Sequence, residues 1–110
     1  MSPALIAVHT TLPDEASARA LAEALVQARL AACVQWHAIA SVYVWQDALQ
    51  RDAEWRLLAK CRAAHWPAVR DFIAARHPYQ LPAIWSSLIE ASAAYHDWVW
   101  QQTDPQATAR

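Results

Sequence analysis

The sequence predicts an α+β fold, one antiparallel sheet with helices packed on it, and three observations support this. Short apolar runs with strand character alternate with stretches whose apolar residues recur every three to four positions. The runs fall in the order β-α-β-β-α-β-α. Each of the first two helical stretches joins two strand runs, so the chain contains two βαβ crossovers interleaved in one sheet.

The elements follow in order. Ala4 to Thr11 (ALIAVHTT) is an apolar run that ends in polar residues and reads as a buried strand. Pro13, Asp14 and Glu15 then supply helix-start signals, with the acids at the positive end of the helix dipole. From Asp14 to about Leu30, Ala18, Leu21, Ala22, Leu25 and Val26 mark one helix face, and Glu15 and Arg19 form an i,i+4 pair on the other. Ala31 to Asp47 reads as a long strand bulky on both faces: Val34, Trp36, Val42 and Val44 on one, Cys33, His37, Ile39, Tyr43 and Trp45 on the other. Asp47 to Asp52 reads as a polar connection. Ala53 to Arg62 alternates cleanly, with Trp55, Leu57, Ala59 and Cys61 toward the core. These two strands make a long hairpin. Ala63 to Arg76 is the second helix, with Pro67 suited to its first turn.

His77-Pro78-Tyr79-Gln80-Leu81-Pro82 ends that helix. Each proline locks φ and removes a donor, and the residues before them, His77 and Leu81, are driven toward extended backbone. Ala83 to Glu90 is the fourth strand. Ala93 to Gln102 is a third helix with Tyr95, Trp98 and Val99 on one side, and residues 103–110 form a polar tail. The order is that of the split βαβ, ferredoxin-like fold, which hosts many functions and settles none. One domain is expected over residues 1–102.

Composition narrows the functional classes. Apolar residues make up 56% and charged residues 17% of the 110, a surplus that points to burial against another copy of the chain. A net charge of −1 without a basic run argues against nucleic acid as a partner. No apolar run is long enough to span a membrane, and Met1-Ser2-Pro3 lacks the basic start of a signal peptide, so a cytoplasmic protein is expected. Glycine and asparagine are absent while tryptophan occurs seven times, so turns that need positive φ must use other residues. The absence of glycine also excludes the GxxxxGK and GxGxxG phosphate cradles.

Few residues carry chemistry. His9, His37, His65, His77 and His96 show no HxH or HxxxH pair, so a metal site would have to be assembled from distant segments or several subunits. His77 is open to two readings, a helix-end histidine bonding the last carbonyls or a ligand held in a stiff turn. Its contact with His9 is also open. Cys33 and Cys61 lie in strand patterns and read as inert. An acylphosphatase-like enzyme would need an asparagine, and an RNA-binding sheet would need an aromatic ring on the first strand. Both requirements fail here. Trp45, beside Tyr43 at the end of the long strand, is a candidate for packing on a neighbour.

Taken together, Thr11-Leu12-Pro13-Asp14-Glu15, Leu30-Ala31-Ala32-Cys33-Val34, Ser41-Val42-Tyr43-Val44-Trp45, the hexapeptide from His77, and Tyr95-His96-Asp97-Trp98 resemble the CutA divalent-cation tolerance family over roughly residues 4–102. The resemblance implies a non-enzymatic, PII-like homotrimer in which the hairpin, about Cys33 to Arg62, extends each sheet into the next subunit. It implies a role in tolerance of copper and other divalent metals, with weak binding of Cu(II) or another divalent cation at His77. The family's cysteine ligand falls at Thr10 here, so the soft donor is missing. A second histidine of some members falls at Arg76. The chain also departs from the family pattern at Gln35-Trp36-His37-Ala38, near Asp47-Ala48, and at Ala91-Ser92. A competing expectation is a small-molecule signalling trimer with its ligand in an inter-subunit cleft lined by Tyr43, Trp45 and Tyr79. A trimeric scaffold without a ligand is the third.

Overall fold

The computed structural model describes residues 3–106. It contains β1 (Leu5–Leu12), α1 (Glu15–Gln27), β2 (Cys33–Trp45), β3 (Ala48–Arg62), a 3-10 turn (Ala63–His65), α2 (Trp66–Arg76), β4 (Ile84–Ile89) and α3 (Ala93–Gln102). The sheet order is β2-β3-β1-β4 and every neighbouring pair is antiparallel. This is the predicted ferredoxin-like α+β topology.

Local chemistry explains the element ends. Asp14 caps α1 by accepting from the Ser17 N–H at 2.7 Å, which satisfies one of the helix's free donors. α1 stops three residues short of the predicted Leu30. Arg29 N–H bonds to Val26 O, Leu30 N–H bonds to Leu25 O, and Arg29 sits at φ 59. That is a Schellman stop with arginine where glycine is usual. Pro67 stands in the first turn of α2, and His77 leaves that helix with extended backbone, as a residue before proline must. Ser92 caps α3 through the Tyr95 N–H.

The main core lies between the sheet and α1 and α2. Ile6, Val8, Leu12, Leu57, Ala59 and Cys61 meet Ala18, Leu21, Leu25, Val69 and Ile73 there. The predicted core face of β3 is therefore correct, with Trp55 packed at its margin. α3 covers only one end of the opposite sheet face, where Leu5, Ala32 and Val99 form a second cluster. Tyr95 and Trp100 pack against that cluster, while Trp98, predicted on the same side, is exposed. Thr103, the first residue after α3, is fully buried. Its hydroxyl donates to Val99 O and accepts from Arg62 Nε. The part of the tail at 107–110 lies outside the described residues.

The expected polar connection from Asp47 to Asp52 is not one. β3 begins at Ala48, and β2 and β3 pair without interruption from Cys33–Lys60 to Trp45–Ala48. Only Gln46 and Asp47 lie in the turn, with φ 50 and 64. Two central residues with positive φ define a type I′ hairpin turn, whose twist matches that of the strands. The polar residues that looked like a loop are the solvent-facing half of a ribbon.

Because side-chain residues carry a left-handed conformation at roughly 1–2 kcal/mol each, the double substitution Gln46→Asn with Asp47→Gly is expected to stabilise the fold by about 1 kcal/mol. A chemical-denaturation midpoint that does not rise would contradict the turn assignment.

Candidate functional site

β1 pairs with β3 only as far as Leu12–Trp55. Beyond that rung, seven β2–β3 pairs, from Ile39–Glu54 to Trp45–Ala48, run on as a two-stranded arm. The candidate site sits at its base.

Residues opposite each other in an antiparallel pair share a face. Tyr43, Asp52 and Glu54 therefore stand on the arm face continuous with the sheet surface away from α1 and α2. The turn following α2 reaches this place. Tyr79 donates its hydroxyl to Glu54 Oε2 at 2.8 Å, and Tyr43 donates its own to Asp52 Oδ2. Glu54 is only 7% exposed and is the one buried carboxylate among the described residues. Its phenol partner is what makes that burial tolerable.

His77 is bonded through both ring nitrogens. Nδ1 accepts the Tyr79 N–H at 3.1 Å, and Nε2 lies 2.8 Å from the Thr11 carbonyl. A carbonyl only accepts, so Nε2 carries the proton and the neutral tautomer is dictated by its partners. The ring thus ties the turn to the end of β1, and its neighbour Tyr79 ties the same turn to the base of the arm. His77 and Tyr79 rings are 4.9 Å apart at 53°. Burial lowers the His77 pKa, with the Thr11 bond and the Glu54 charge acting the other way. Burial first, then the bond to Glu54, raises the Tyr79 pKa. The Asp52 bond raises that of Tyr43.

The structure thus gathers His77, Tyr79 and Tyr43, and adds Asp52 and Glu54. Trp45 stands apart at the arm tip, on the Tyr43 face. Sequence reading missed Glu54 because an acid in an alternating strand looks like an ordinary solvent-facing residue. The only signal was its register opposite Ile39 at the base of the arm. His9 and His77 share no hydrogen bond or ring contact. Its ring stacks on Trp85 at 3.9 Å and 6°. Thr10, where the family's cysteine would fall, points into the core at 1% exposure with its hydroxyl unpartnered. A shallow depression lined by Ala22, Glu23, Val26, Gln27, Val34 and Trp36 lies on the helix side, separate from these groups.

Two carboxylates and two phenols suit a cation better than a phosphate, which like charges would repel. No group of three or more His, Cys, Asp or Glu that could hold a metal ion occurs among the described residues. The described residues of one chain therefore do not form a chelate.

A small α+β domain of this topology, with a projecting hairpin arm and an acidic, phenol-lined base, defines the class of protein. The family model described as CutA1 divalent ion tolerance protein matches residues 6–102, and the chain belongs to that family. Among similar proteins, the divalent-cation tolerance protein CutA of Thermus thermophilus is 38% identical, covering 87% of this chain and 95% of that one. The structure of CutA from Synechococcus elongatus superposes with a TM-score of 0.89 at 35% identity, covering 94% of this chain and 93% of that one. The periplasmic divalent cation tolerance protein CutA from Archaeoglobus fulgidus superposes with a TM-score of 0.88 at 28% identity, covering 91% and 99%. That periplasmic description differs from the cytoplasmic compartment expected above for this chain. Among the described residues, no helix is long and apolar enough to cross a membrane.

Tyr79→Phe strips Glu54 of its partner and is expected to cost about 1–3 kcal/mol. Thr10→Val removes a buried hydroxyl without a partner and is expected to stabilise by about 1 kcal/mol. Denaturation midpoints measure both. Folding also lowers the pKa values of His9, His65 and His77, burial being the largest cause in each case. When the folded value lies below the unfolded one, the unfolded chain takes up protons first as pH falls. Stability should therefore be level just above about pH 7 and decline as pH drops below the ordinary histidine value of about 6.5. A urea midpoint that rises on acidification from about pH 7.5 to about pH 5.5 would refute that sign.

Proposed function

We propose that this chain is the subunit of a non-enzymatic homotrimer acting in divalent-cation tolerance, closed by its hairpin arm. One observation carries the reading. Past the last β1 rung the arm has no neighbouring strand among the described residues, yet one of its faces presents Val42 and Val44, each 68% exposed, and Leu49. A two-stranded ribbon is marginally stable alone. Its free edges and apolar face call for a second copy, and an arm that reaches from one subunit to the next closes into a ring when the rotation permits. Trp45 and Tyr43 lie on the other arm face and would meet the same neighbour. Cys61 is no candidate nucleophile: it is in the core, with its pKa pushed up to about 12 by burial.

The reading puts weak metal contact at His77, the imidazole held in the stiff turn. Nδ1 becomes a ligand when the Tyr79 N–H moves aside, with the Glu54 and Asp52 carboxylates nearby to favour a cation. A single imidazole per chain gives weak binding, to Cu(II) or another divalent ion. The acidic lining of the arm base counts against the small-molecule signalling alternative.

Sedimentation of the wild type at micromolar concentration is expected to give a trimer, and Val44→Glu with Leu49→Glu is expected to weaken it by at least about tenfold. A wild-type monomer would overturn the assembly. Calorimetry with Cu(II) is expected to show heat that His77→Ala abolishes, and an unchanged isotherm would overturn the metal assignment while leaving the assembly intact.

A further inference from the structure

Tyr79 is bonded at both ends, and each bond fills a donor atom of another residue. Its main-chain N–H occupies the Nδ1 lone pair of His77 at 3.1 Å, and its hydroxyl occupies Oε2 of Glu54 at 2.8 Å. The rings of Tyr79 and His77 lie together, with centroids 4.9 Å apart. One residue thus covers an imidazole and a carboxylate, two side-chain types that divalent metal ions take as ligands. We propose that Tyr79 is a built-in mask on the His77–Glu54 pair, which a divalent cation must displace to bind, and that the arm loses a brace when it does. This rests on the reading of His77 as the metal contact and concerns how that contact is regulated.

The His77 ring is already set as a ligand. Its Nε2 donates to Thr11 O at 2.8 Å, which leaves Nδ1 without a proton. A carbonyl on the far nitrogen is the usual support of a ligating imidazole, because it fixes the tautomer and raises the basicity of the other nitrogen. What stands at that other nitrogen here is the Tyr79 N–H. Glu54 is covered in the same way. At 7% exposure its carboxylate needs a partner, and the Tyr79 hydroxyl supplies one. A cation near the carboxylate meets that need with a full charge, where the phenol offers only a dipole. The two masking bonds also open together. Pro78 stiffens the backbone next to the Tyr79 N–H, so Nδ1 is uncovered by a shift of the turn, and that shift draws the hydroxyl away from Glu54. Glu54 stands opposite Ile39 on the first arm rung past β1, so its release removes a tie between the turn and the arm. By linkage, an arm that is held in place weakens the cation's grip to the same degree. Both bonds are made within one chain and both donor atoms are filled, so the mask is complete in the subunit itself.

The test is calorimetry with Cu(II) on the wild type, on Tyr79→Phe, and on Tyr79→Phe with Glu54→Gln. Tyr79→Phe removes the hydroxyl bond and frees the carboxylate, and its Kd is expected to fall about tenfold below that of the wild type. The double variant loses the freed charge, and its Kd is expected within about twofold of the wild type. Equal constants for the wild type and Tyr79→Phe overturn the proposal, and so does a gain that Glu54→Gln leaves in place. If Tyr79→Phe does not fold by circular dichroism, hydrogen exchange of residues 77–82 in the wild type decides, because the Tyr79 amide is bonded in that turn. Exchange there should quicken on saturation with Cu(II), and unchanged exchange with Cu(II) bound overturns the mask. Failure of the underlying reading looks different. Heat from the wild type that survives His77→Ala, or no heat from any of these proteins, overturns the metal contact and the proposal with it. Heat that His77→Ala abolishes, with no gain in Tyr79→Phe, overturns the mask alone.

Discussion

The structure depends on a hairpin that outruns its own sheet. β2 and β3 pair over thirteen rungs, while β1 borders β3 over eight. The inner part of the hairpin is held by a packed core, and the outer part stands on backbone pairing and the Tyr43–Asp52 hydrogen bond. Everything that fixes the arm must therefore act at its base. Two contacts do so, both made by the turn after α2. His77 grips the Thr11 carbonyl where β1 ends, and Tyr79 grips Glu54 on the first rung beyond it. The prolines on either side of Tyr79 leave that turn few alternatives, so the two grips share one stiff support. The hexapeptide is in this sense a bracket for the arm, and the features that make it look like a binding corner are the features of the bracket.

A chain without glycine meets its turns under strain, and it does so in only a few places. Arg29, Gln46 and Asp47 are the positive-φ residues among those described. Arg29 earns an added contact there, donating from Nη1 to Gln102 O at the end of α3. Arg62 reaches the same helix end from β3, through Trp100 O and Thr103 Oγ1, with its guanidinium over the Trp100 ring. Two arginines thus satisfy carbonyls that a helix C-terminus leaves open. The Gln46-Asp47 turn matters more widely, since its two residues set the register of every rung behind it.

Much of this was legible in the sequence. The element order, the core face of β3, the Asp14 start of α1 and the extended exit at His77 follow from periodicity and from rules for proline and capping that act locally. The misreadings share a cause. Asp47, Gln50, Arg51 and Asp52 read as a loop because the ribbon beyond the sheet has no core of its own chain to demand apolar alternation. Thr103 looked like tail because its burial depends on Arg62, which is distant in sequence. Glu54 gave no sign of its role because its partner is 25 residues away. The His77 imidazole was legible as rigidly held, but the lone pair given up to Tyr79 N–H could be seen only in three dimensions. The resemblance supplied the family, and geometry supplied the reason for its hexapeptide.

The central claim is that the arm is ordered by a second copy of the chain, and amide hydrogen exchange tests it most directly. Backbone amides of residues 39–53 should be protected in the concentrated protein and should lose that protection on dilution below the dissociation constant, while β1 and the inner half of β3 keep theirs. Protection of the arm that is independent of protein concentration across the monomer range would contradict the account.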